Sequence, residues 1–413
     1  MKNVFIVADD TTGANASAIL NKPLGYDCIS VRTEVNELKN DSLYSFSTNS
    51  RGIDKEKAYD VVKETLLNLK DKTAIYNKRV DSTLRGNLGS ELDAFLECFP
   101  NKTAIVVASF PSSGRTCVHN TLFVNGELLE KTDVAKDPKC PVTTSIVTDL
   151  FKIQTNKSIS SIDLSVVRSD AFKAELLKKY NQTRIIVIDG EENDDIEKIA
   201  KTCVELNLDI VTVDPGPFTY YYTKSWKIQE KYSFYCLIGS VTPVTLEQIK
   251  FAQNNGASIY ELDCSKILSK DYNLYLDKCY NDLINISNDF IVLTTSSLCK
   301  NYKLDLKMYK SPTKTIEDIS NLINVRIASL FIKFINIRHA DCVYTSGGDT
   351  TVEFLSQVDS YGLRMNNEIL PLTVESTILG GSFEGMKIVS KGGLIGDKLT
   401  LMYIYDFMRV GSK

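Results

Sequence analysis

Two adjacent aspartates follow an apolar run in Val7-Ala8-Asp9-Asp10-Thr11-Thr12-Gly13-Ala14. One such residue suffices to cap a helix, because its oxygen accepts the orphan N–H groups of the first turn. Here four polar residues stand in a row, more than capping needs. Carboxylates at a strand end accept hydrogen bonds from the hydroxyl groups of a polyhydroxylated ligand. A second polar run, Lys78-Arg79-Val80-Asp81-Ser82-Thr83-Leu84-Arg85-Gly86-Asn87-Leu88-Gly89, mixes cations, an acid and two hydroxyls with glycines on either side of Asn87. Ser82 or Thr83 could cap a helix there with the charges in water. Alternatively the glycines let backbone approach a ligand closely, and Arg85 with the isolated Arg51 offers planar forks that match a carboxylate. The turn Phe110-Pro111-Ser112-Ser113-Gly114-Arg115-Thr116 adds one more arginine, equally suited to a solvated loop.

The second half carries a different chemistry. Tyr344-Thr345-Ser346-Gly347-Gly348-Asp349-Thr350-Thr351 reads as a strand, a hydroxyl- and glycine-rich turn, and a helix start. Free backbone N–H groups at a helix N-terminus suit an anion, although Asp349 or Thr350 could simply cap that helix. Lys391-Gly392-Gly393-Leu394-Ile395-Gly396-Asp397 repeats the theme after the strand-like residues 387 to 389. Two such turns in one half point to phosphate. The chain has no P-loop, no protein-kinase catalytic set and no dinucleotide fingerprint.

These residues need a scaffold that brings their ends together. β-branched runs at 4–8, 104–109, 184–189, 210–214, 290–295 and 342–345 alternate with helix-like stretches, the longest at 316–339, which predicts an α/β fold. Ligands of such sheets bind beyond the carboxyl ends of the strands, where the polar runs lie. A length of 413 residues favours two domains. The prolines and glycine of Asp214-Pro215-Gly216-Pro217 place a linker between about 216 and 232. The expected division is a domain over 1–225 and another over 230–413.

Composition sets outer limits. With 48 Lys and Arg against 52 Asp and Glu, the net charge of -4 provides no basic field for nucleic acid. Ten scattered cysteines without a CxxC pair suggest a reducing, cytoplasmic setting, and no apolar run approaches a membrane span or a signal-peptide core. Only His119 and His339 are present, which excludes a three-histidine metal site.

Taken in order, ADDTTGA, KRVDSTLRGNLG, FPSSGRT with Leu122-Phe123-Val124-Asn125-Gly126, then Gly239-Ser240-Val241-Thr242, SGGDT and KGGLIGD resemble the four-carbon acid sugar kinases over most of the chain. Characterised members of that family phosphorylate D-threonate, D-erythronate or 3-oxo-tetronates. The resemblance implies an N-terminal substrate-binding α/β domain and a C-terminal nucleotide-binding α/β domain of unusual fold, with catalysis in a cleft between them. Carried over, the substrate side comprises Asp9, Asp10, Arg51, Lys78, Asp81, Ser82, Thr83 and Arg85, with Asp81 or Asp9 as the catalytic base. The nucleotide side comprises Ser240, Gly347, Gly348, Asp349, Thr350, Gly392, Gly393, Gly396 and Asp397. ATP and Mg²⁺ are the expected cofactors, with Asp349 or Asp397 open to the metal. A small-molecule sugar acid is the expected partner, and a homodimer is allowed for, without nucleic acid or membrane. Ser390-Lys391-Gly392-Gly393 departs from the Lys-Ser-Gly of other branches, which fits the threonate and erythronate type better than the oxo-tetronate type. The rival readings are a 3-oxo-tetronate kinase and a non-catalytic sugar-acid-binding protein.

Overall fold

The computed structural model describes residues 2–32, 38–39, 42–69, 73–229, 231–295, 305–311 and 313–410. Cys299 and residues 300–304 of the polar stretch lie outside them. The chain divides into two compact units, one ending at residue 230 and one starting at residue 231.

In the first unit the strands are β1 (Val4–Ala8), β2 (Asp27–Val31), β3 (Ser42–Ser47), β4 (Ile75–Arg79), β5 (Thr103–Val106), β6 (Arg115–Val118), β7 (Thr121–Val124), β8 (Glu127–Leu128), β9 (Ile159–Ile162), β10 (Ile185–Ile188) and β11 (Ile210–Asp214). Eight of them form a sheet in the order β2-β3-β1-β4-β11-β5-β10-β9, and every pairing in it is parallel. A parallel sheet is covered on both faces, so a strand such as β1, Val-Phe-Ile-Val-Ala, is apolar throughout. Helices Lys55–Leu67 and Leu88–Cys98 set Val62, Leu66, Leu92 and Phe95 against Phe5, Val7 and Tyr76. The remaining strands β6, β7 and β8 make a small antiparallel ribbon. Gly114 (φ 76°) opens it, and the Asn125 N–H donates back to the Gly114 carbonyl at 2.7 Å, so FPSSGRT and the Asn125-Gly126 turn are one structural unit.

The second unit holds β12 (Phe234–Ile238), β13 (Ser258–Glu261), β14 (Phe290–Thr294), β15 (Cys342–Ser346), β16 (Gly362–Leu370), β17 (Thr373–Leu379) and β18 (Lys387–Lys391), in the order β13-β14-β12-β15-β18-β17-β16. The first five positions pair in parallel and the last two close antiparallel. Successive residues of β12 alternate between two cores. Tyr235 and Leu237 join Phe331 and Phe334 of the long helix Ile316–Arg338, while Phe234, Cys236 and Ile238 join Leu401 and Ile404 of the last helix. The outer strand β16 is mostly exposed and carries two register shifts, which blunt it as a template for further pairing.

The stretch expected as a linker is instead largely a helix, Pro217–Gln229. Proline is tolerated in the first turn, and the Asp214 carboxylate accepts the N–H groups of Gly216, Phe218 and Thr219 at 2.8 to 3.2 Å, so the strand end itself caps the helix.

One buried ion pair pins β4 to the helix beneath it. Lys78 Nζ lies 2.5 Å from Glu91 Oε2 with both side chains 1% exposed, and Ser50 Oγ donates to the other oxygen of Glu91 at 2.6 Å. Lys78→Met should therefore lower the unfolding free energy by about 3–5 kcal/mol, because it leaves Glu91 charged and unpaired. Lys78→Met combined with Glu91→Leu should recover most of that loss in guanidinium denaturation. Equal stability of parent and single variant would contradict the pairing.

Candidate active site

Strands β3, β1 and β4 are neighbours and end in register, with Ala8 opposite both Ser47 and Arg79. The chain passes from β1 to the outer strands β2 and β3 and then returns on the other side as β4, so the crevice beyond β1 is a topological switch point. Asp9, Asp10, Arg51, Asp81, Thr83 and Arg85 all meet there. Arg51 Nε donates to Asp9 Oδ2 at 2.7 Å and Arg51 Nη2 to Asp9 Oδ1 at 3.0 Å. The same Nη2 lies 2.5 Å from Asp10 and 3.4 Å from Asp81. Burial works against the Arg51 charge, yet hydrogen bonding to Asp9 and the fields of Asp81 and Asp10 outweigh it and raise its pKa.

Asp10 also caps the helix Thr11–Leu20, accepting the Gly13 N–H at 2.5 Å. Asp81 is not a helix cap, since the next helix starts at Leu88 behind Asn87. Arg85 grips Asp81 with Nε at 2.8 Å and Nη2 at 3.1 Å, and the Thr83 hydroxyl donates to Asp81 Oδ2. Burial would push the Asp81 carboxyl up, but Arg85, Thr83 and Arg51 together hold it well below the usual carboxylate range. Arg85 reaches onward to Asp137 at 3.0 Å. Ser82 is half-buried at the turn. Lys78, expected in the cationic clamp, is corrected: alternate residues of a strand face opposite sides, so Lys78 points into the core towards Glu91. Its neighbour Arg79, part of the motif but given no role of its own there, is the residue of β4 that faces Asp9 and Asp10, at 3.6 and 3.8 Å.

The second unit repeats the arrangement. Strands β12, β15 and β18 are neighbours, with Ile238 opposite Ser346 and Ser346 opposite Lys391. Their order with β13 and β14 makes the same switch point. The Gly239 and Ser240 N–H groups donate to the Ser346 carbonyl, and the hydroxyls of Thr242 and Thr245 donate to the Gly393 carbonyl at 2.6 and 2.9 Å. Ser240, Gly347, Thr350 and Gly393 are thereby gathered, together with Thr242 and Thr245, which the motif reading did not assign. Gly347 stands before the helix Gly348–Gln357, whose first N–H groups lack intrahelical partners. Asp349 is exposed in its first turn. Asp397 closes the turn before the last helix, its Oδ1 accepting from Leu399 N–H at 2.9 Å and Thr400 Oγ1 at 3.2 Å.

The glycines divide by cause. Gly347 has φ 112° and Gly396 φ 82°, a region that favours glycine. A Cβ on Gly393 would overlap Ser240 Oγ, whereas one on Gly348 meets nothing within 4 Å. Gly347 and Gly396 thus have a conformational reason and Gly393 a packing one, whereas Gly348 and exposed Gly392 lack a strong internal reason. Lys391 is 4% exposed and donates to the carbonyls of Gly392 and Ile395 at 2.8 and 3.0 Å. Burial pulls its ammonium down to about 8.

Two outcomes follow from this geometry. Gly393→Ala should lower the melting temperature by several degrees, as overpacking costs about 1–3 kcal/mol, while Gly348→Ala should not lower it. In addition, the unfolded chain binds Lys391's proton up to its ordinary value near 10.5 while the folded chain releases it near 8. Stability must then rise with pH across that window. The melting temperature of the parent minus that of Lys391→Met should increase between pH 8 and 10.5 in differential scanning fluorimetry. A flat difference would mean Lys391 is solvated.

Residues 4–222 match the family described as a sugar-binding N-terminal domain, and residues 235–401 the nucleotide-binding C-terminal domain. The chain is 32% identical to a D-erythronate kinase of Heliobacterium modesticaldum, over 99% of this chain and 97% of that protein. It is 23% identical to a D-threonate kinase of Salmonella typhimurium, over 99% and 100% respectively. A crystal structure from Bordetella bronchiseptica, a domain-swapped dimer with bound citrate, shares the fold at TM-score 0.76 and 19% identity, covering 99% of each chain. Both domain matches in order, and 32% identity along nearly the whole length, make this chain a member of the four-carbon acid sugar kinase family and a phosphotransferase.

Proposed function

We propose that the chain uses ATP and Mg²⁺ to phosphorylate a four-carbon acid sugar, D-erythronate or D-threonate, at its terminal hydroxyl. The observation that carries this reading is the polar crevice at the ends of β3, β1 and β4, where carboxylates and guanidinium groups interleave. Carboxylates there accept from sugar hydroxyls, and cations meet the acid group. The open helix N-terminus after Gly347 supplies backbone donors for the phosphates of ATP.

Phosphoryl transfer asks mainly for alignment and charge neutralisation. Asp9 is the better proton acceptor for the acceptor hydroxyl, since it takes hydrogen bonds from one arginine while donors from Arg85 and Thr83 converge on Asp81. Asp81 then orients Arg85. Mg²⁺ needs one or two carboxylates beside phosphate oxygens. Asp349 fits that need, because Asp397 is engaged by Leu399 and Thr400 in its own turn, and no cluster of three metal-ligating side chains occurs among the described residues. When bound, the metal neutralises charge on the transferring phosphate. The cysteines among the described residues are unpaired, which supports a reducing, cytoplasmic setting. The domain-swapped Bordetella relative supports a homodimer.

A coupled ADP-release screen over four- to six-carbon sugar acids, 3-oxo-tetronates and matching polyols tests the activity. D-erythronate or D-threonate should exceed erythritol or threitol by at least about a hundredfold in kcat/KM, a difference of roughly 2.7 kcal/mol. Equal turnover of acid and polyol would overturn the substrate assignment. Asp9→Asn should lower kcat by about 10²- to 10⁴-fold, and Gly348→Val should raise the KM for ATP with the sugar-acid KM unchanged. A folded Gly348→Val enzyme with parental ATP kinetics would remove that turn from the nucleotide site.

A further inference from the structure

The arginines that stand out by motif are already engaged: Arg51 forks onto Asp9, and Arg85 onto Asp81. Arg79 at the end of β4 is different. It is 8% exposed, and its Nε and Nη1 have no hydrogen-bond partner among the described residues. Its nearest carboxylate oxygens, Asp9 Oδ1 at 3.6 Å and Asp10 Oδ1 at 3.8 Å, attract it but stand beyond hydrogen-bond reach. Buried donors without acceptors are unfavourable, and native structures keep few of them.

A second feature shows that the position is built. The guanidinium rests against Gly13 in the first turn of the helix Thr11–Leu20, and a Cβ on that glycine would overlap Nη1 and Cζ of Arg79. Gly13 has no positive φ and lies inside a helix, where alanine would be the better helix former. Its lack of a side chain has one evident use, which is to seat Arg79. The first and second polar motifs of the chain thus meet through this contact.

We propose that Arg79 is the guanidinium that recognises the acid group of the substrate, its open donors completed by a carboxylate bound beyond β1 and β4. Arg51 and Arg85 then shape the crevice and hold its aspartates, and Arg79 sets the preference for an acid over a neutral polyol. This rests on the sugar-acid reading above.

The test is calorimetric titration of D-erythronate, D-threonate and erythritol into the full chain, its Arg79→Met and Arg79→Lys variants, and Gly13→Ala. Arg79→Met should fold with an unliganded melting temperature at or above that of the parent, because Asp9 keeps both bonds from Arg51. It should bind the acids at least a hundredfold more weakly. Arg79→Lys keeps the charge without the fork and should lose at least tenfold. Gly13→Ala, which displaces the guanidinium while leaving its charge in place, should lose acid affinity to a similar extent as Arg79→Lys. Acid binding within threefold of the parent in a folded Arg79→Met would overturn the inference alone, as would a fall in its unliganded melting temperature with no change in acid affinity. Should Arg79→Met not fold, parental affinity in Arg79→Lys and Gly13→Ala overturns it equally. A parent that binds none of the acids would overturn the sugar-acid reading and this inference with it.

Discussion

A single guanidinium holds the first crevice together. Three aspartates, at 9, 10 and 81, come to the ends of two adjacent strands, and their mutual repulsion would open the loops without a cation among them. Arg51 arrives from the loop after β3 and touches all three, at 2.7, 2.5 and 3.4 Å. Its planar fork satisfies both oxygens of Asp9 while the same Nη2 reaches the other two, an arrangement beyond the reach of a lysine's point charge. The second cation, Arg85, needs Asp81 held in place, and Asp10 serves Arg51 while capping its own helix. The acidic character of the crevice is therefore compatible with a stable fold because of where the chain places Arg51.

The two units build different polar crevices on one topology. Each arranges four strands so that the first lies between the third and the fourth, and each places its polar loops beyond the first strand. The first unit fills that space with charged side chains. The second uses backbone and hydroxyls: the Gly393 carbonyl takes two threonine hydroxyls, and the helix after Gly347 opens with free N–H groups. Side-chain charges discriminate between an acid and an alcohol, whereas backbone donors at a helix end accept any phosphate. That division matches a domain that must choose its sugar and another that must hold a nucleotide.

Strands buried on both faces were readable because their composition admits little else. Residues 4–8, 210–213 and 342–345 are continuous apolar or β-branched runs, and the periodic stretch from 316 is the long helix. β4 was not readable, since Ile-Tyr-Asn-Lys-Arg looks like the approach to a loop. Its polar residues are tolerated inside only because distant chain satisfies them: Asn77 donates to Thr212 and Asp214, and Lys78 finds Glu91. The same blindness affected the site. Arg51, Arg79 and Arg85 are alike in sequence, and Lys78 and Arg79 are neighbours, yet one is engaged with Asp9, one with Asp81, one is open, and the lysine is structural. Motif spacing locates the crevice, whereas the partners of Arg51 and Arg79 lie dozens of residues away, and even Arg85, four residues from Asp81, takes its partner from the way the turn folds.

The space beside Gly393 is filled by the Ser240 side chain, some 150 positions earlier in the chain. Neither residue can then drift independently. A lineage that acquires a side chain at 393 while Ser240 remains must pass through a strained intermediate, whereas one that first reduces Ser240 to glycine opens the room beforehand. The order of substitutions decides which descendants are reachable, so sister enzymes with a bulkier residue in this turn should carry the memory of that order at the end of β12.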